Sequence, residues 1–181
     1  MTVLFLLADG FEETELIAPA DILRRAQANV KLVSIEENIM VTGSHGIKLC
    51  ADMTAEDASE LEFDAIVFPG GLKGTERLSN SVWTEKFLKV AMETGAYIGA
   101  ICAAPTILGK FGLLEGKNFT CYPGMEEQVE EGIYAEKPVV CDDVFITGEA
   151  MGSSLEFGFQ LCELIMGKEI SENVKNGICY K

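Results

Sequence analysis

Among six cysteines, one histidine and twenty-nine acidic residues, one cysteine has the local pattern of a nucleophile. Cys102 closes an apolar run, Tyr97-Ile98-Gly99-Ala100-Ile101, and is followed by Ala103-Ala104-Pro105-Thr106. Small residues on both sides are what a sharp strand-to-helix turn demands, because larger side chains would collide where the backbone doubles back. A nucleophile elbow uses that turn to lift its reactive atom above the sheet. At the head of the following helix, Cys102 would also meet unpaired N–H groups and a dipole that favour thiolate over thiol. The plainer alternative is a buried structural cysteine at a strand end.

Such a nucleophile needs a partner for its proton and donors for a developing oxyanion. No histidine lies near Cys102 in the sequence, so a carboxyl group is the candidate partner. Glu12, Glu13 and Glu15 follow the first apolar segment. Glu15, beside Leu16-Ile17, is placed to point inward, where burial raises a carboxyl pKa and lets it hold a proton against a thiolate. Glu12 and Glu13 read as solvated acids at a helix N-terminus. Gly70-Gly71, after another apolar run, offers open backbone N–H groups, and the Ala103 amide directly follows the cysteine. These are the candidate oxyanion donors; a loop that needs glycine for its dihedrals is the plainer reading of Gly70-Gly71.

The elements that must position these groups alternate between strand and helix. Thr2–Ala8, Asn29–Glu36, Phe63–Phe68 and Tyr97–Ile101 are apolar runs of buried-strand length. Ile39–Thr42 and Ile47–Cys50 flank the hairpin-like Gly43-Ser44-His45-Gly46. The helical segment after Glu12 should break or kink at Pro19 before Asp21–Ala28. Thr54 reads as a helix N-cap. Ser79/Asn80 should cap a helix to about Thr94 that turns Val82, Phe87, Leu88 and Met92 inward and stops at Gly95. Pro105–Phe111 reads as a helix, Asn118–Tyr122 as a strand and Gly124–Gly132 as an acidic surface segment. Val139–Cys141 and Val144–Thr147 form a strand pair around Asp142-Asp143. Ser153/Ser154 open an amphipathic helix to about Met166, with another turn or two over Glu169–Lys175.

This order predicts an α/β sandwich around a mostly parallel sheet. Ligand crevices in such sheets lie beyond the carboxyl ends of the strands, where the glutamates, Gly70-Gly71 and Cys102 all fall.

Composition narrows the function. A chain of 181 residues with 48% hydrophobic and 24% charged residues is expected to form one domain. A net charge of −15 disfavours nucleic acid and anionic membrane surfaces as partners. The apolar N-terminus lacks the basic flank of a signal peptide, and no segment reaches membrane-span length, so a cytoplasmic protein is expected. The cysteines form no Cys-x-x-Cys pair and read as reduced thiols, neither a zinc site nor a disulfide framework. With His45 as the only histidine, no metal centre is expected.

Four segments together carry a resemblance. Ala8-Asp9-Gly10-Phe11-Glu12-Glu13-Thr14-Glu15, Phe68-Pro69-Gly70-Gly71, Gly99-Ala100-Ile101-Cys102-Ala103-Ala104-Pro105-Thr106 and Gly152-Ser153-Ser154-Leu155-Glu156-Phe157 resemble successive signatures of the ThiJ/PfpI superfamily, in its parkinsonism-associated deglycase branch. The match runs through nearly the whole chain. It implies a flavodoxin-like three-layer sandwich and a homodimer, with Cys102 as the reactive cysteine and Glu15 as its protonated carboxyl partner. No cofactor is implied.

Departures from the pattern matter too. The proteolytic branch places a histidine after the cysteine, where this chain has Ala103, so peptidase activity is not expected. The deglycase branch commonly has a histidine before a proline where this chain has Tyr122-Pro123. A phenol donates a hydrogen bond but is a poor base near neutrality. An arginine common before the last helix is replaced within Thr147-Gly148-Glu149-Ala150. His45 reads as a solvated hairpin histidine, with the missing base as its sharper alternative.

Two functions follow. One is a cysteine-dependent glyoxalase or deglycase acting on α-oxoaldehydes such as methylglyoxal, with Cys102 and Glu15 catalytic and Gly70, Gly71, Ala103 and Tyr122 around the substrate. The other is a cysteine redox sensor or stress-protective protein whose thiolate oxidises without turnover.

Overall fold

The computed structural model describes all 181 residues. The first half runs β1 (Thr2–Leu7), α1 (Glu13–Arg25), β2 (Asn29–Ser34), β3 (Met40–Thr42), β4 (Lys48–Cys50), β5 (Met53–Thr54), β6 (Ala65–Phe68), α2 (Leu72–Ser79) and α3 (Val82–Thr94). The second runs β7 (Tyr97–Ile101), α4 (Pro105–Lys110), β8 (Asn118–Phe119), β9 (Ile133–Tyr134), β10 (Val139–Asp142), β11 (Phe145–Gly148), α5 (Ser154–Met166) and α6 (Lys168–Gly177). Seven strands make one sheet in the order β10-β11-β7-β6-β1-β2-β5. Every pair in it is parallel except β10 with β11.

Both faces of that sheet are covered, which is why its strands are continuously apolar rather than alternating. Along β1, Val3, Phe5 and Leu7 join the core beneath α1 and α5, while Leu4 and Leu6 join the core beneath α3 and α4. The result is the three-layer sandwich with a mostly parallel sheet that the strand–helix alternation predicts. Gly99 in β7 faces the α5 layer, where a Cβ would press on Phe157 and Leu161 at 3.2 and 3.1 Å.

Several local readings need correction. Pro19 does not divide the first helix; α1 is continuous through it. The proline is buried, and packing repays the lost backbone bond: its Cα would lie 2.8 Å from a Cβ on Gly158, so α1 and α5 touch closely there. Thr54 caps no helix. It ends β5 beside Ser34 and accepts from the Asp57 amide at 3.2 Å within a turn. The sequence reading assigns no element to the residues of α2, which carries Gly74. Glycine is required there, since a Cβ would sit 2.8 Å from the Phe11 amide nitrogen. The cap of α3 is Ser81, accepting from the Trp83 amide at 3.2 Å, not Ser79 or Asn80. Gly95 ends α3 in the left-handed region as read. Phe87 and Leu88 are buried, whereas Val82 and Met92 face solvent. The strand read over Asn118–Tyr122 shrinks to Asn118–Phe119 and pairs with β9 outside the main sheet.

The α1–α5 contact holds the helix that carries the glutamates, so it is a sensitive place to perturb. Gly158→Val should destabilise the fold by about 1–3 kcal/mol through overpacking against Ile22 and Pro19. Urea unfolding should show a lower midpoint at unchanged slope; an unchanged midpoint would contradict the close packing.

Candidate active site

Three neighbouring parallel strands, β1, β6 and β7, release their chains at one edge of the sheet. The groups singled out above therefore meet. Glu15, in the first turn of α1, is 1% exposed. One of its oxygens, Oε2, accepts the Gly70 amide at 2.9 Å. The other, Oε1, is buried without a well-formed hydrogen bond. The Cys102 thiol is the side chain close enough to interact with that carboxyl.

Cys102 occupies the left-handed region at φ 65°, unusual for a residue with a Cβ. Such a conformation costs about 1–3 kcal/mol and persists only where its surroundings over-determine it. Here its amide donates to the Gly148 carbonyl at 2.9 Å, and its carbonyl accepts the Tyr122 amide at 2.8 Å. The neighbouring strand β11 and the loop after β8 thus clamp the elbow from outside. Inside, a Cβ on Gly70 would lie 2.7 Å from the Cys102 Cβ and would collide with the Glu15 carboxylate. Only glycine lets thiol and carboxyl meet.

Burial dominates the electrostatics. It raises the Glu15 carboxyl from 4.5 to about 7, helped by the charge of Glu12 and opposed by bonds to Cys102 and Gly70. Burial also pushes the Cys102 thiol up from 9.0 to about 12, reinforced by the charge and hydrogen bonding of Glu15. The amides of Gly71 and Ala103 act the other way, favouring charge on sulfur. The expectation of a thiolate stabilised by the helix dipole is therefore corrected: α4 spans only six residues and starts at Pro105, beyond Cys102. What the site holds instead is a coupled carboxyl–thiol pair, both members raised by burial. Its first proton leaves near 7, after which one proton remains to be divided between carboxyl and sulfur.

The pair opens onto a cavity of about 730 Å³. Gly71, Ala103 and the half-exposed Tyr122 line it. Gly70 departs from its expected part as an oxyanion donor: its amide is committed to Glu15 and its carbonyl accepts the Glu12 amide at 2.9 Å. Glu13 departs more. Read as solvated, it is buried, and its Oε1 accepts the backbone amides of His45 at 2.8 Å and Ile47 at 3.3 Å. Burial would raise its pKa, but those bonds and one from the His45 ring hold it at about 2.

The His45 ring is exposed, as a hairpin histidine should be, yet its Nδ1 lies 3.0 Å from Glu13 and 3.2 Å from Glu12. Glu12, Glu13 and His45 are of metal-ligating types with donor atoms within 4.8 Å of one another; here the imidazole itself partners both carboxylates. Sequence reasoning also missed the cavity's outer wall, Leu72, Lys73, Met125 and Met151. For the burial of Glu13, Gly43 was the available signal, since a Cβ there would strike its carboxylate. All six cysteines are free.

The DJ-1/PfpI family model matches residues 1–164. The chain belongs to the DJ-1/PfpI family. "Protein dj-1beta" of Drosophila melanogaster is 36% identical over 98% of this chain and 96% of its own. The crystal structure of that protein superposes with a TM-score of 0.95, covering 99% of this chain and 98% of the other. "Protein DJ-1 homolog B" of Arabidopsis thaliana is 40% identical over 99% of this chain, which spans only 41% of that longer relative. "Glutathione-independent glyoxalase DJR-1.2" of Caenorhabditis elegans is 29% identical over 98% of this chain and 95% of its own.

The Glu15 shift has a measurable consequence. Its folded pKa is raised, so the stability it contributes is complete below 4.5 and is lost as pH rises through about 7. Glu13 works oppositely, losing its contribution only as pH falls from 4.5 toward about 2. Between pH 4.5 and 7, wild-type stability should fall relative to Glu15→Gln by about 3 kcal/mol, read from urea titrations at several pH values. Parallel curves for the two proteins would contradict the assignment.

Proposed function

We propose that this protein is a cofactor-independent enzyme of the glyoxalase/deglycase type, acting through Cys102 on small α-oxoaldehydes such as methylglyoxal or on their protein adducts. The observation that carries this reading is the buried Glu15–Cys102 pair at the floor of an open cavity, with the Gly71 and Ala103 amides facing the sulfur. The nematode relative named as a glutathione-independent glyoxalase supports the reaction class.

The chemistry then runs as follows. The Cys102 sulfur adds to the aldehyde carbon, and the carbonyl oxygen becomes an oxyanion beside the Gly71 and Ala103 amides. Glu15 supplies the proton that makes the hemithioacetal. It then carries the hydrogen of that carbon, as a proton, to the neighbouring ketone carbon. The ketone is reduced to an alcohol while the aldehyde carbon reaches the acid level as a thioester. Water cleaves the thioester, giving a 2-hydroxy acid and free Cys102. If the adduct began on a protein amine, the amine is released as well. Tyr122, half exposed on the cavity wall, offers the substrate a hydrogen-bond donor.

The proposal extends to one domain over residues 1–181, a cytoplasmic location and a homodimer. Exposed Ile17 on α1 and Met40 and Ile47 on the β3–β4 hairpin give such a dimer apolar surface. The charge of −15 argues against nucleic acid or an anionic membrane as partner, and no helix is long and apolar enough to cross a membrane. Sedimentation at monomer mass would contradict the dimer.

Methylglyoxal consumption with lactate as product tests the reaction. Wild-type protein should turn over many times, and Cys102→Ala should lose at least about a hundredfold in rate. Equal rates in both proteins would remove Cys102 from the mechanism. No turnover, with Cys102 oxidised by mild peroxide, would instead support the redox-sensor reading.

A further inference from the structure

Of the cavity's titratable groups, the chemistry above leaves Glu12, His45 and Lys73 idle, and His45 is the one imidazole among them. His45 stands on the β3–β4 hairpin and lines the same cavity as Cys102 and Tyr122. Its setting is built rather than incidental. The Thr42 carbonyl accepts the Gly10 amide and the Phe11 carbonyl accepts the Ser44 amide, at 2.7 and 2.8 Å, stitching the hairpin to the loop ahead of α1. Buried Glu13 then fixes His45 twice, through the backbone amide at 2.8 Å and through ring Nδ1 at 3.0 Å. Gly43 leaves room for that carboxylate.

We propose that His45, oriented by Glu13, is the general base that activates water against the Cys102 thioester, filling the role left open by Tyr122. The inference rests on the glyoxalase-type reading. The nearest partner assigns the tautomer: ionised Glu13 only accepts, so Nδ1 carries the hydrogen and Nε2 is left as the base. A buried carboxylate holding Nδ1–H while the other nitrogen works is the logic of a catalytic dyad. In the step, water oxygen bonds to the thioester carbon as Nε2 takes a water proton. The carbon–sulfur bond breaks, sulfur keeps the electron pair and then receives that proton, and a carboxylic acid and a thiol remain. Nothing is oxidised or reduced.

The charged and titratable groups around the ring are Glu12 and Glu13 at the start of α1, with Glu15, Lys73, Cys102 and Tyr122 lining the same cavity. The bond from Glu13 and the charges of Glu12 and Glu13 keep the imidazole above its ordinary 6.5. Base catalysis should therefore fail as pH falls below that raised value.

The test compares steady-state kinetics against pH for wild type, His45→Gln and Glu13→Gln. Because His45 is the only histidine, its ring protons report its titration by NMR without ambiguity. His45→Gln should lower kcat about a hundredfold, with KM within about threefold, and abolish the acid limb that matches the NMR titration. Alkylation of Cys102 by iodoacetamide, which needs no activated water, should proceed at the wild-type rate. Glu13→Gln should move both the NMR titration and that acid limb to lower pH while leaving the Glu15 titration in place. Wild-type kcat in His45→Gln would overturn the proposal and leave the glyoxalase reading standing. Absence of turnover in wild type, with Cys102 still alkylated, would overturn both.

Discussion

A carboxyl group that has been stripped of water and set against a thiol is the constraint around which this fold is arranged. Neither group is comfortable there: burial raises both Glu15 and Cys102. Each relieves the other only by sharing a proton, and that sharing needs close approach. Gly70 permits the approach, because any side chain at that position would occupy the space between them. The Gly70 amide then pins one carboxylate oxygen and leaves the other buried without a hydrogen-bond partner.

The parallel sheet supplies the convergence. Three adjacent strands end at one edge, so the glutamate loop, the glycine pair and the cysteine elbow meet although they are spread over some ninety residues of chain. The strained backbone at Cys102 is clamped by Gly148 at the end of β11 and by Tyr122 beyond β8. Those bonds couple the antiparallel edge of the sheet to the reacting atom. The α1–α5 packing through Pro19 and Gly158 plays the corresponding part for the glutamates.

Much of this was readable in the sequence, for identifiable reasons. Apolar strands buried on both faces, together with small residues around Cys102, carry strong local signals, and so the sandwich and the elbow were legible. Glu15 was legible because its neighbours Leu16 and Ile17 imply an inward face, although Ile17 itself is exposed. Glu13 was not. An acid in the first turn of a helix has an ordinary explanation in the dipole, and nothing local announces a hairpin some thirty residues later whose amides will bury it. The same distance hid the partnership of His45 with Glu13. The helix α2 was hidden by Gly74, and Pro19 suggested a break that tertiary packing overrides. The thiol presented a different difficulty. Its helix suggested a lowered pKa, but desolvation depends on everything packed around it, which sequence spacing does not express.

The shared proton can be observed directly. Alkylation of Cys102 by iodoacetamide, followed site by site with mass spectrometry, should be slow below neutrality and rise through an inflection near pH 7 in the wild type, where the pair loses its first proton. In Glu15→Gln, which has no proton to share, that inflection should vanish and reactivity should rise only at or above the ordinary thiol value of 9.0. An identical curve in both proteins, with a single inflection near 9.0, would show that Cys102 titrates alone and would contradict the account.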